Sequence, residues 1–177
     1  MKVFIAGPRA MSILNSEALK RIDNIINEQF TILVGDAAGV DKAVQNHCSE
    51  KQYRNVKVYA SNGKARNNIG QWEVISIQIE NHIKGFDFYA AKDLAMANEA
   101  DYGFMVWNGK SKGTLNNIIN LTLLNKKVLV YYTPDKKFYV LKSIDDVKEL
   151  LGKNDDVTAK QFFIDQLSKN NNITLPL

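Results

Sequence analysis

Thr31-Ile32-Leu33-Val34-Gly35-Asp36-Ala37-Ala38-Gly39-Val40-Asp41 runs from an apolar tetrapeptide through small residues into an amphipathic stretch. The tetrapeptide is short, rich in β-branched residues and closed by glycine, which reads as a buried strand. Beyond it, Val40, Ala43 and Val44 recur at helical spacing, so Gly39–Cys48 reads as a helix. A strand that passes straight into a helix leaves the first helical N–H groups without partners, and glycines there let a ligand approach the backbone. With the helix dipole added, such a turn favours an anion, most often a phosphate. The pattern recurs where Tyr102-Gly103-Phe104-Met105-Val106 leads into Trp107-Asn108-Gly109-Lys110-Ser111-Lys112-Gly113-Thr114. A third turn, Gly7-Pro8-Arg9, follows the apolar run Lys2–Ala6.

Outward from these turns, strands and helices alternate. Ser16–Gln29 carries Ala18, Leu19, Ile22, Ile25 and Ile26 at helical spacing, with Asn15 or Ser16 as N-cap. Asn55–Ala60 and Val128–Tyr132 read as strands, Thr114–Leu124 as a helix, and the polar Ser61–Gly70 as a loop. Gln71–Ile83 and Tyr89–Asn98 read as helices separated at Gly85. Five apolar strands separated by helices predict an α/β fold: a Rossmann-like three-layer sandwich with a mainly parallel five-stranded sheet over residues 1–134. Residues 135–177 then form a small C-terminal helical addition packed on the same domain. There Lys137–Leu141 reads as a short edge strand, Ile144–Leu151 and Thr158–Leu167 as helices, and Asn170-Asn171-Asn172 as a frayed polar tail. In open sheets of this type the ligand crevice lies at the carboxyl edge of the strands, where the strand order reverses.

Composition narrows the function classes. The chain has 177 residues with 45% hydrophobic content, enough for a real core, and no apolar run near the roughly 20 residues that cross a bilayer. Its one cysteine, Cys48, cannot form an internal disulfide, and no secretory signal is visible, so a cytoplasmic location is expected. The net charge of +4 is scattered rather than gathered on one face. On that ground nucleic acid is not expected as a partner. Cys/His spacing suggests no metal, and no cofactor is expected.

The turns and one loop hold the candidate chemistry. Gly7 and Arg9 offer close approach and a permanently charged planar fork. Gly35, Asp36, Gly39 and Asp41 form the second turn, where Asp41 meets the helix dipole and can accept from ribose hydroxyls. Alternatively, Asp41 supports the helix start and Asp36 caps it. Gly109, Ser111, Gly113 and Thr114 suit one phosphate, although neither the P-loop nor the GxGxxG spacing is present. The loop Asn62–Asn68 brings Lys64, Arg66 and Asn67 to the same edge. Trp72 reads as a stacking or core residue, and Asp93 as a helix-face residue that could point into the crevice.

Taken in order, Gly7-Pro8-Arg9, Ala37-Ala38-Gly39-Val40-Asp41, Gly63-Lys64-Ala65-Arg66-Asn67 and Ser111-Lys112-Gly113-Thr114 resemble the SLOG superfamily. This Rossmann-like group includes the DNA-processing SMF proteins and LOG-type phosphoribohydrolases, and the resemblance spans residues 1–132. It implies a nucleotide or nucleotide-derived ligand at the glycine turns, and a homodimer, for which helix Gln71–Ile83 offers a face. LOG-type enzymes carry P-G-G-x-G-T-x-x-E, with the glutamate at the glycosidic bond. This chain has Asn117 at that place, and Lys110 and Ser111 replace the first two glycines. The expectation is therefore a binding module, sensor or carrier, for a nucleotide-like small molecule. The alternative is an N-glycosidase or phosphoribohydrolase-type enzyme with Asp41 as the catalytic carboxylate.

Overall fold

Val3, Phe4 and Ile5 are wholly buried in the opening strand β1 (Lys2–Ala6), as a central strand covered on both faces requires. The structure, a computed structural model, describes residues 1–173. From β1 the chain enters α1 (Ser16–Asn27), where Asn15 Oδ1 accepts from Ala18 N at 2.9 Å and caps the helix. Next come β2 (Thr31–Gly35), α2 (Val40–Glu50), β3 (Val56–Ser61) and β4 (Glu73–Ile77). Helix α3 (Gly85–Glu99) crosses back to β5 (Tyr102–Trp107), followed by α4 (Lys112–Leu123), β6 (Val128–Tyr132) and β7 (Lys137–Leu141). Helices α5 (Ile144–Gly152) and α6 (Val157–Ile173) complete the described chain.

The α/β class stands, but the sheet has seven strands rather than five, in the order β4-β3-β2-β1-β5-β6-β7. All neighbours are parallel except β6 and β7. The additional parallel strand, β4, lies where a helix over Gln71–Ile83 was expected. Ile75, Ile77 and Ile79 alternate with Ser76 and Gln78, and Ile75 and Ile77 are half-buried while Val74 and Ser76 are exposed. That period of two is the signature of an edge strand with one covered face. The dimer face assigned to that helix therefore does not exist as a helix. Gly85 does not separate two helices but begins α3. Asn170-Asn171-Asn172 falls within α6 rather than in a frayed tail.

Two cores flank the sheet. On one face α1 and α2 bury Ile22, Ile25, Val40 and Val44 against Val3, Ile5, Ile32 and Val34. On the other, α3 to α6 bury Met96, Ile118, Leu150 and Phe163 against Phe4, Leu33, Met105 and Trp107. The strand order reverses between β1 and β5, so the connections leaving their paired carboxyl ends run to opposite faces of the sheet, to α1 and α4, and leave a crevice.

Candidate functional site

A cavity of about 300 Å³ occupies that crevice. Gly7 and Arg9 border it beyond β1, Ala37 and Asp41 beyond β2, and Ser111 to Thr114 beyond β5. Tyr89, Lys92, Asp93 and Met96 of α3 and Asn117 of α4 close the remaining wall.

The start of α4 is shaped before any ligand arrives. Asn108 Oδ1 accepts from the N–H groups of Lys110 (3.0 Å) and Ser111 (2.9 Å), which folds the turn. Ser111 is the N-cap, its Oγ accepting from Thr114 N at 3.3 Å and from Thr114 Oγ1 at 3.0 Å. The N–H groups of Lys112 and Gly113 find no acceptor among the described residues, as the first donors of a helix have no intrahelical partner. A Cβ added at Gly113 would meet no heavy atom within 4 Å.

Ionisable side chains form the opposite wall. Asp41 is 7% exposed and Lys92 4% exposed, and both stand against the bare Cα of Gly35. Burial pushes the Asp41 carboxyl up to about 7, despite the opposing pull of the Lys92 ammonium; Asp93 pushes it further in the same direction. Burial alone would lower Lys92, but Asp93 and Asp41 outweigh it and hold the ammonium above its ordinary value. Lys92 Nζ donates to Asp93 Oδ1 at 2.8 Å, and Asn117 Nδ2 donates to Asp93 Oδ2 at 3.2 Å. The Asp93 carboxylate fixes which end of the Asn117 amide faces it. Among the described residues Asn117 Oδ1 is then left buried with no partner, an acceptor that a ligand hydroxyl or amine would satisfy.

The candidate residues named from sequence divide into two groups. Gly7, Arg9, Asp41, Ser111, Gly113 and Thr114 meet at the cavity, whereas Gly35, Asp36, Gly39, Lys64, Arg66, Asn67 and Gly109 lie outside its wall. Asp36, 2% exposed, does not cap α2; the N-cap is Gly39, and Asp36 serves the Asn62–Asn68 loop. Its carboxylate takes a two-pronged fork from Arg66, at 3.0 Å from Nε and 2.7 Å from Nη2, and a third bond from Arg66 N. Burial alone would raise its pKa, but these bonds to Arg66 hold it below the usual carboxylate value. Asn67 Nδ2 donates to Asp36 O, and Lys64 is exposed. Fully buried Gln45 pins the same loop, donating to Gly35 O at 2.9 Å and Asn67 O at 3.2 Å and accepting from Ile69 N at 3.0 Å.

The glycines divide in the same way. Gly39 has φ +76°, and a Cβ there would overlap the Arg9 carbonyl; a Cβ at Gly35 would overlap Asp41 Oδ2. Gly39 thus lets two chain segments pass, and Gly35 makes room for the Asp41 and Lys92 side chains. Trp72 is buried, with Nε1 donating to Tyr53 O at 2.9 Å. Lys92, Tyr89 and Asn117 were not among the candidate ligand contacts. A signal existed for Lys92 and Asp93, a charged pair interrupting the apolar run Ala90–Met96. Tyr89 is noteworthy because the Arg9 guanidinium lies 4.3 Å and that of Arg66 5.7 Å from its ring centroid.

Among the described residues no helix is long and apolar enough to cross a membrane, and no group of three or more His, Cys, Asp or Glu could hold a metal ion. No protein-family model matches the sequence. No curated protein matches it either. Solved structures do share its fold. DNA processing protein A from Helicobacter pylori, described for its single-stranded DNA binding mode, superposes with a TM-score of 0.57 at 17% identity, over 96% of this chain and 81% of that one. DNA processing protein A from Streptococcus pneumoniae gives 0.52 at 17% identity over 84% and 60%. The structural-genomics target TM1055 gives 0.50 at 20% identity over 72% and 71%. The Rossmann-like arrangement is thus shared with DNA processing proteins, which overturns the exclusion of nucleic acid.

Proposed function

We propose that this chain binds a nucleotide, free or as part of a nucleic acid, in the crevice between β1 and β5. The observation that carries the reading is one cavity lined by the open N–H groups of Lys112 and Gly113 and, one turn further along α4, by Asn117, whose Oδ1 has no partner among the described residues. A phosphate at the start of α4 satisfies the helical donors and meets the positive end of the dipole, with Arg9 adding a fixed charge. The sugar then faces Asp41 and Asn117, which accept from its hydroxyls, and the base meets the Tyr89 ring. A sensor or carrier needs nothing more than this.

Calorimetry with nucleoside 5′-monophosphates, the matching nucleosides and inorganic phosphate tests the proposal. At a hundredfold excess over Kd, a ligand stabilises by about 2.7 kcal/mol, which raises Tm by roughly 5–10 °C in a chain of this length. Absence of heat and of any Tm rise with every monophosphate at millimolar concentration sinks the reading.

The raised pKa of Asp41 favours a second reading, cleavage of the N-glycosidic bond. A carboxyl that keeps its proton near neutral pH can deliver it to a departing base while water adds to the sugar. Release of free base from a monophosphate, lost in Asp41→Asn, would support it; release that survives the substitution would remove Asp41 from the chemistry.

A further inference from the structure

A second cavity, of about 670 Å³, abuts the first and shares two of its residues, Phe86 and Lys112. Its far wall comes from α6: Phe162, Asp165, Gln166, Ser168 and Lys169. Phe86 is 39% exposed, and its ring meets that of Phe162 edge-on at 5.4 Å between centroids. Lys112 Nζ stands 6.0 Å from the Phe162 centroid, on the ridge between the two cavities.

Chemistry separates the two compartments. The first presents helical N–H donors and Arg9, which suits a phosphate and its sugar. The second carries Lys112 and Lys169 against Asp87 and Asp165, so its charges balance and it offers no anion a net advantage. What it does offer is aromatic surface, with carboxylates able to accept from ring amines. A neutral, flat, amine-bearing group fits there, and a negative link fits at Lys112. A nucleobase joined through a phosphodiester to the nucleotide in the first cavity has this form.

We propose that the groove between α3 and α6 is a second base subsite, so that the ligand is a phosphodiester-linked pair of nucleotides rather than one nucleotide. The assignment rests on the nucleotide reading of the first cavity. Helix α6 lies wholly beyond the segment that carries the sequence resemblance, and it makes this chain's site longer than the glycine turns alone predict.

The experiment compares a nucleoside monophosphate, the 3′–5′ dinucleotide and a six-residue single-stranded oligonucleotide on the full chain. It uses the wild type and Phe162→Leu, which keeps apolar volume while removing the ring. Stacking of one base on one ring predicts a dinucleotide affinity about tenfold or more above that of the monophosphate. Phe162→Leu should abolish the gain and leave monophosphate affinity unchanged, with a small fall in Tm because the half-buried ring packs against the core. Lys112→Gln, at an exposed position, should reduce the gain without the packing change that Phe162 entails. Equal affinity for monophosphate and dinucleotide in the wild type overturns the subsite and leaves the first site standing. No binding of any probe overturns both. Affinity that rises again for the hexamer identifies a nucleic-acid strand as the source of the pair, while a plateau at two residues identifies a free dinucleotide; both support the subsite.

Discussion

Replacing Gly113 by alanine separates the stability of this fold from its binding chemistry. Gly7, the other glycine that borders the cavity, and Gly35 behind its wall cannot make that distinction, because a Cβ at Gly7 would stand 2.7 Å from Val40 Cγ2 and one at Gly35 would stand 2.9 Å from Lys92 Nζ. Either change damages the fold, with overpacking typically costing about 1–3 kcal/mol. Gly113 differs, since no heavy atom lies within 4 Å of the added carbon and the backbone is not in the left-handed region. It is the second residue of α4, and alanine is a better helix former than glycine by up to about 1 kcal/mol. The variant should therefore melt at the wild-type temperature or up to about 4 °C higher. The new methyl group stands beside the donors assigned to phosphate. Losing one charge-assisted hydrogen bond, worth about 1.5–3 kcal/mol, weakens a nucleoside monophosphate by roughly ten- to a hundredfold. Calorimetry for affinity and a thermal melt for stability, on the same preparation, read both quantities. An unchanged Kd beside an unchanged or raised Tm would show that the phosphate is not held at the start of α4.

Asp41 predicts a pH dependence. Its carboxyl is raised from 3.8 to about 7 on folding, so between those values the folded chain holds a proton that the unfolded chain releases. The stability it contributes is full below the unfolded value and falls as pH rises towards 7, by at most about 1.4 kcal/mol per pH unit. Urea unfolding from pH 4.5 to 8 should show Asp41→Asn gaining on the wild type up to about pH 7 and then running parallel; parallel curves throughout would refute the shift. Asp36 acts in the opposite sense, its stabilisation present above the ordinary carboxylate value and lost as pH falls through the lowered one. Arg66→Ala leaves that buried carboxylate without its fork. Because the Arg66 side chain is itself 46% exposed, the cost should be about 1–3 kcal/mol, seen as a fall in Tm at pH 7; no fall would mean that solvent replaces the fork. Arg9→Glu, at an exposed position, should leave Tm within a few degrees while weakening an anionic ligand at least tenfold, and an unchanged Kd would take Arg9 out of the site.

Much of the fold was legible because β1, β2, β5 and β6 are continuous apolar runs bounded by turn residues. β4 was not, since Val74, Ile75, Ile77 and Ile79 satisfy a loose helical template as well as an alternating one, and only the neighbouring β3 decides between them. Ser111, Gly113 and Thr114 could be picked out from the sequence as a glycine-bearing turn, but the helix begins at Lys112 rather than Thr114, with Ser111 as its cap. The other wall could not. Whether Asp36 or Asp41 borders the crevice depends on Arg66, 30 residues away in the chain, which claims Asp36 and leaves Asp41 in the cavity. Lys92 carried a local signal, as a charge within an apolar run, but its meeting with Asn117 through Asp93 depends on α3 and α4 packing side by side. The charge argument against nucleic acid failed because a count of lysines and arginines carries no information about the fold, and the fold is one that DNA processing proteins share.

The grip of Gln45 divides the loop after β3 into two mechanically different halves. From Arg66 to Ile69 the backbone is tied to β2 and α2 as firmly as a sheet neighbour, so a residue inserted there would move the Asp36–Arg66 fork and the Tyr89 ring beside it. At Gly63 the backbone keeps one bond, donating to Ser76 Oγ at 2.9 Å, but the space around it is open: Lys64 is exposed, and a Cβ at Gly63 would touch nothing within 4 Å. The Lys64 side chain is where a fluorescent label can be carried, on the free side of the Gln45 anchor.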